Sequence, residues 1–264
     1  MKSPLQDLEL ILAYHCCGRS TGFTKQVVDL NFTLRSFLNA FKDRKVDRHI
    51  LKVGNDVLLT PLPMRTKEGY KIFFAHIINT DVKIFNFGDC VKLALMMIDI
   101  SQYEEGTWPG MLLVIDFEGV SLGHLTKIDI INLQQFLYYL QEALLVKLKG
   151  LHYINAPSFI DKLLVMMRPF MKKELMDMLH IHTIGSKKLE QFIPLEALPK
   201  GCGGSGTSVD EYKDEVISKL NTYKEYFEQD KYRKVVESQR PGKPKTITDI
   251  FGGVEGSFKK LEID

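Results

Sequence analysis

The run Met111-Leu-Leu-Val-Ile-Asp-Phe-Glu-Gly-Val-Ser-Leu-Gly123 decides how this chain folds. Five consecutive apolar residues from Met111 to Ile115 are apolar on both faces, as a strand covered on two sides should be. Gly119 and Gly123 punctuate a turn, and 124–146 then reads as one helix carrying Leu125, Ile128, Leu133, Phe136, Leu137, Tyr139, Leu140 and Leu144. That apolar arc is wider than a single helix–sheet contact needs, which fits either a deeply buried helix or one with a side on the sheet and another lining a cavity. A second strand is expected over 150–155, then a methionine-rich helix, then a third strand over 179–185 before Gly201-Cys-Gly-Gly204. Strands separated by helical segments of a dozen or more residues need crossover connections, so the class is α/β with a mostly parallel sheet.

Working outward, Leu5–Cys17 and Phe23–Phe41 read as two short helices, and Lys42–Arg48 as a solvated linker. Pro61 and Pro63 predict a loop before a strand over Lys71–Ile78, and a helix follows over 88–103. Val209–Glu228 reads as a polar helix. From Arg240 an extended tail is expected, with Phe251, Val254, Phe258 and Leu261 able to clip it onto the body. These breaks suggest a helical segment 1–46, a central domain 47–208 and a C-terminal segment 209–264.

The net charge of +2 in 264 residues gives no global pull toward nucleic acid. Cys16, Cys17, Cys90 and Cys202 form no C-x-x-C pair, which points to free thiols in a reducing compartment. The first residues lack the apolar core of a signal peptide, and no apolar run reaches the ~18 residues a bilayer span requires. A cytoplasmic monomer without cofactor, metal or nucleic-acid partner is the expectation.

Gly119-Val-Ser121-Leu-Gly123 matches the G-x-S-x-G nucleophile elbow. A lipid esterase using Ser121 would need an acid and a base downstream, Asp161 or Asp177 with His180 or His182. Asp116 and Glu118 oppose a developing oxyanion, and no earlier glycine-rich loop supplies its second donor. His180 and His182 share one strand face, but the sequence suggests no third metal ligand beside them, so they read as structural. Met166, Met167, Met171, Met176 and Met178 fall in one window with Phe159, Leu163 and Phe170, a composition suited to repacking around varied apolar partners. Its basic residues Arg168, Lys172 and Lys173 suit lipid headgroups.

Several motifs together resemble the CRAL-TRIO lipid-binding domain. They are Lys147-Leu-Lys-Gly-Leu-His-Tyr-Ile-Asn-Ala-Pro157, Arg168-Pro-Phe170, Leu179-His-Ile-His182, Ile193-Pro-Leu-Glu-Ala-Leu-Pro199 and Gly203-Gly204. Upstream, Asp116, Gly119, Ser121 and His124 fit that domain's Asp-x-x-Gly-x-Ser-x-x-His turn, which accounts for the elbow match without catalysis. The tail motifs Arg240-Pro-Gly-Lys-Pro-Lys245 and Gly256-Ser-Phe-Lys-Lys-Leu-Glu-Ile-Asp264 are similar to insect relatives of the tocopherol carrier. The resemblance implies a non-enzymatic carrier with a sheet floor, flanking helices, a mobile gate helix over Ala156–Met178 and a small all-helical N-terminal domain. Its pocket positions carry over to Ile115, Leu122, Ile128, Phe136, Tyr139, Leu140, Leu144, Leu148 and Leu151, with Ser121 or Tyr139 orienting the ligand. Phe159, Leu163, Met166, Met167 and Phe170 fall on the gate. Of the family's basic cleft, Lys147 and Lys149 are kept, while two further positions fall on Glu174 and Met178. That change removes two cations and adds an anion, which argues against phosphoinositide specificity. Arg168, Lys172, Lys173, Lys187 and Lys188 would then give only general attraction to anionic membrane. The implied cargo is tocopherol, a retinoid, a carotenoid or another isoprenoid-like lipid.

Overall fold

The computed structural model describes residues 7–258. A five-stranded sheet runs in chain order: β1 (Val57–Arg65), β2 (Lys71–Ile77), β3 (Met111–Asp116), β4 (Leu148–Ala156) and β5 (Leu179–Thr183). β1 pairs antiparallel with β2, and every later pairing is parallel, as the crossover spacing requires. The strand over 57–65 corrects the loop expected at Pro61 and Pro63. β1 is an edge strand, where a residue without an N–H can leave its outer side unpaired.

Two N-terminal helices, α1 (Asp7–Cys16) and α2 (Thr21–Phe37), precede a 3-10 turn at Asn39–Phe41 and α3 (Arg48–Asp56). α4 (Phe87–Glu105) crosses between β2 and β3, and Asn86 caps it by accepting from the Asp89 N–H. The single helix expected over 124–146 is instead two. A short turn, α5 (Leu122–Leu125), is followed by α6 (Ile130–Glu142), because Asp129 accepts from the Asn132 N–H and starts a new helix there. The expected gate helix is also broken, into α7 (Ile160–Met167), a 3-10 turn at Arg168–Phe170 with Pro169 at its start, and α8 (Lys173–Asp177).

The polar helix over 209–228 divides into α9 (Val209–Thr222) and α10 (Lys224–Glu228), and α9 packs on α3 and β1. The tail is not extended throughout: α11 spans Ile247–Phe258, and its Phe251 ring meets Tyr138 at 5.1 Å. Leu261 lies outside the described residues.

Arg44 overturns the reading of 42–48 as a solvated linker. Its side chain is fully buried and bridges Asp99 of α4 (2.8 Å) and Asp230 (2.6 Å). Arg35 of α2 completes the network with paired bonds to Asp99 at 2.8 and 3.0 Å. The aromatic ring of Phe41 lies 4.8 Å from both guanidinium carbons. Burial alone would raise the Asp99 pKa, but Arg35 and Arg44 outweigh it and hold the carboxyl well below its ordinary range. Its stabilisation is therefore present above the unfolded carboxyl pKa of ~3.9 and is lost as pH falls toward the lower folded value.

Asp99→Asn removes the carboxylate that pairs with Arg35 and leaves Asp230 alone to offset Arg35 and Arg44; it should cost roughly 3–5 kcal/mol in urea denaturation, with a flatter stability profile on the acid limb. A cost below ~1 kcal/mol would show that this network does not hold α2, α4 and Asp230 together.

Candidate ligand cavity

Strand alternation builds the cavity floor. Val57 and Leu59 of β1, Ala75 and Ile77 of β2, Leu113 and Ile115 of β3, and Leu151 and Tyr153 of β4 all point to one face. Helical spacing builds the roof. Phe87, Cys90, Val91 and Ala94 on α4, and Leu133, Phe136, Leu137 and Leu140 on α6, each repeat the same three- and four-residue steps. Leu163 and Met167 of α7 close one side. The space between holds about 1090 Å³ free of protein atoms, part of it continuous with solvent.

Of the pocket positions carried over from the resemblance, Ile115, Ile128, Phe136, Leu140 and Leu151 line this cavity. Tyr139 does not: it sits on the opposite side of α6, its hydroxyl accepts from Asn31 Nδ2 at 3.0 Å, and its ring packs on Phe41. Leu122 is 44% exposed at the start of the short α5 turn and does not line the cavity. Leu144 and Leu148 pack in the core beyond the end of α6 without reaching the cavity. On the gate, Phe159, Met166 and Phe170 pack against the core beside the cavity rather than in it. The strand face of β1 and β2 and the α4 stripe were missed, although their periods of two and three-to-four were visible in the sequence.

Ser121 is not a cavity group but the start of α5. Its backbone N–H donates to His124 Nδ1 at 3.0 Å, and its hydroxyl lies 2.9 Å from the same nitrogen. This is a local capping contact, and Ser121 has extended backbone (φ −121°) rather than a strained elbow. The candidate acids and bases lie elsewhere: Asp161 and Asp177 on α7 and α8, His180 and His182 on β5.

His182 has a partner that its sequence neighbourhood did not reveal. β4 places His152 opposite His180, with His152 Nδ1 3.1 Å from His182 Nε2 and ring centroids 4.8 Å from His180. Phe192 packs on the same stack. Burial, then His180 and His182, push the His152 pKa down to about 3. Among the described residues, the group whose metal-ligating atoms converge within 4.8 Å is a different one: His76, Asp116 and Cys202. Asp116 already accepts from Asn155 Nδ2 (2.8 Å) and the Glu118 N–H (2.9 Å), with His76 Nδ1 at 3.1 Å. Burial, then Asp116, push the Cys202 thiol up to about 12, so it keeps its proton. The set is complete as a hydrogen-bond network.

Among the cations assigned to headgroups, Lys172 pairs with Glu142, and Lys173 with Asp177 at 2.6 Å. Lys147 and Lys149 are exposed at the start of β4, with Lys149 5.8 Å from the Tyr70 ring centroid. Arg168, Lys187 and Lys188 are exposed on the gate side.

A mostly parallel sheet with an apolar cavity roofed by crossover helices defines a hydrophobic-ligand fold. Residues 55–204 match the CRAL/TRIO domain, and the chain belongs to that family. It is 26% identical over 170 residues to clavesin-1 of Xenopus laevis, covering 64% of this chain and 51% of that one. It is 22% identical over 204 residues to the alpha-tocopherol transfer protein-like protein of Mus musculus, covering 77% and 54%. The chain thus spans about half the length of these curated relatives. The crystal structure of Sfh5 superposes with a TM-score of 0.54 at 15% identity, covering 82% of this chain and 81% of that one, a likeness of fold.

Because His152 is buried neutral, it contributes stability above the unfolded histidine pKa of ~6.5, and that contribution is lost as pH falls toward 3. Urea midpoints measured from pH 7 to pH 3 should therefore fall more steeply in wild type than in His152→Leu. Parallel profiles would mean that the imidazole stack carries no pH-dependent stability.

Proposed function

We propose that this chain is a carrier that holds one small hydrophobic molecule in the β1–β4 cavity and exchanges it with membranes. The observation that carries the reading is the lining itself. Apart from His76, Cys90, Asp116, His124 and Tyr153, every residue around the cavity is apolar, and the Tyr153 hydroxyl is engaged with Met167 Sδ at 3.1 Å. Such a surface gains by burying an apolar molecule, at ~25 cal/mol per Å² removed from water. Membership of the CRAL/TRIO family and the transfer named in one relative support the same reading. Tocopherol, retinoids, carotenoids and other isoprenoid-like lipids are the cargo class. The binding unit is 47–208, braced by the described parts of the segments before and after it, 7–46 and 209–258.

The gate is the segment 160–178. Leu163 and Met167 face the cavity, while Val165 on the outer side of α7 is 63% exposed, and Met176 and Ile184 are exposed nearby in sequence. A clasp on α6 holds this segment shut. Gln141 Nε2 donates to the Phe170 carbonyl (2.9 Å), Gln141 Oε1 accepts from the Lys172 N–H (2.7 Å), and Glu142 pairs with Lys172. Contact of Val165 and the exposed basic residues Arg168, Lys187 and Lys188 with an anionic bilayer would favour the released form. No helix among the described residues is long and apolar enough to cross a membrane. Hydrolysis through Ser121 has no geometry in its favour, since no carboxylate among the described residues hydrogen-bonds His124 and the serine caps α5.

Ala94→Trp places an indole in the roof and should reduce retention of a fluorescent isoprenoid-chain probe by about tenfold or more while leaving the circular dichroism spectrum unchanged. Undiminished retention would place the cargo elsewhere. Gln141→Ala opens the clasp and should speed transfer between vesicles by roughly five- to tenfold, from loss of about two hydrogen bonds. An unchanged transfer rate would remove 160–178 as the gate.

A further inference from the structure

α1 is apolar on two sides and packed on only one. Leu12, Ala13 and Cys17 pack with Val27 of α2 and with Leu145, just beyond α6. Leu10, Ile11 and Tyr14 share the other side, joined by steps of three and four residues. The short loop 17–20 sets the first turn of α2 beside the last turn of α1. Phe23 stands in that first turn, one turn before Val27. These four side chains are 41% to 56% exposed. A helix that is apolar all round is ordinarily buried all round, and exposed apolar residues gathered on one short hairpin form a patch that needs a partner.

Cations gather at the tip of the hairpin. Arg19 in the loop and Lys25 on α2 are exposed. Lys147 is exposed beside them, since a Cβ on Gly18 would lie 3.9 Å from its Nζ. Asp7, the exposed acid of α1, stands at the helix's far end. A second copy of the chain does not suit this face, because a stable dimer buries about 1,200–2,000 Å² and four half-exposed side chains offer far less. Aliphatic and aromatic side chains edged by cations are what a helix lying in an anionic bilayer surface presents. The hairpin also shares its support with the gate. Leu145 follows closely on Gln141 and Glu142, which hold Phe170 and Lys172, so the apolar face and the clasp lie at the same end of α6.

Resting on the exchange with membranes put forward above, we propose that the α1–α2 hairpin is a second docking surface, whose partner is an anionic lipid bilayer. Leu10, Ile11, Tyr14 and Phe23 enter the boundary between headgroups and acyl chains, and Arg19, Lys25 and Lys147 meet lipid phosphates. The hairpin holds the chain on the bilayer while the gate opens, so docking and release are carried by different residues.

The test is sedimentation of the full chain with vesicles of phosphatidylcholine and phosphatidylserine. Ile11→Asp combined with Phe23→Asp should lower the bound-to-free ratio by about tenfold or more, because two apolar side chains leave the contact. Retention of a fluorescent isoprenoid-chain probe should stay at the wild-type level. Undiminished vesicle binding overturns the proposal and leaves the carrier reading standing. A urea midpoint lowered at the same time would show that the chain itself covers the face, and a dimer lost in light scattering that a second copy does. A wild type that binds vesicles and retains no probe overturns the carrier reading alone. Equal binding with and without phosphatidylserine overturns the role of the three cations. Phe23→Trp tests the same contact without a charge substitution. Brominated phosphatidylcholine chains should quench the new indole and spare the buried Trp108, and an unquenched indole overturns the proposal.

Discussion

The position of α4 is the constraint on which the rest depends. This helix presents an apolar stripe, Phe87, Cys90, Val91 and Ala94, to the cavity, while Asp99 further along anchors in the buried network of Arg35, Arg44 and Asp230. Apolar helices normally settle onto a sheet until side chains interdigitate at close-packed density. Here α4 is tied from behind to α2, to the 42–48 segment and to Asp230, so its stripe faces the floor across the cavity. The N-terminal helices and the chain after α10 therefore shape the cavity without lining it. α2 braces α6 in the same way, through Asn31 to Tyr139 and to the Ala143 carbonyl.

That arrangement explains which parts of the site could be read from sequence. The central strand Met111–Ile115 and the spacing of its neighbours specified a parallel sheet, and the apolar breadth of 124–146 specified more than one buried face. The identity of each face was not readable. Tyr139 and Leu140 are adjacent and both buried, yet one packs on Phe41 and the other on the cavity, and only the partner helix α2 decides between them. The break at Asp129 is written in the sequence as a helix-capping residue before an apolar run, and it divides the single helix expected over 124–146. Arg44 looked like part of a charged linker because its two acid partners lie far away, at 99 and 230. His152 was hidden from His182 for the same reason, being joined to it only by β4–β5 register.

The buried polar groups of the molecule are spent largely on one another. Asp116, Asn155 and the Glu118 N–H saturate one another, and the Arg35–Asp99–Arg44–Asp230 network is paired on both signs, so each of these holds structure. His124 accepts the Ser121 N–H on Nδ1 beside the cavity, and His76, between the floor residues Ala75 and Ile77, turns to Asp116 on the other face of the sheet. The Ser121 turn, which as sequence mimics a hydrolase elbow, is the device that fixes the tautomer of His124. Membership of the CRAL/TRIO family fits an apolar cavity between sheet and crossover helices, and at the surface Lys172 and Lys173 are paired with acids.

The central claim is that the space between the β1–β4 floor and the α4–α6 roof is occupied by a single hydrophobic molecule when the protein works. Native mass spectrometry of the full chain, after incubation with vesicles made from a total lipid extract, tests this most directly. One added mass per chain is expected, released by organic solvent and identified in the extract as a single hydrophobic molecule. A spectrum of the bare chain alone, or several unrelated lipids bound per chain, would contradict it.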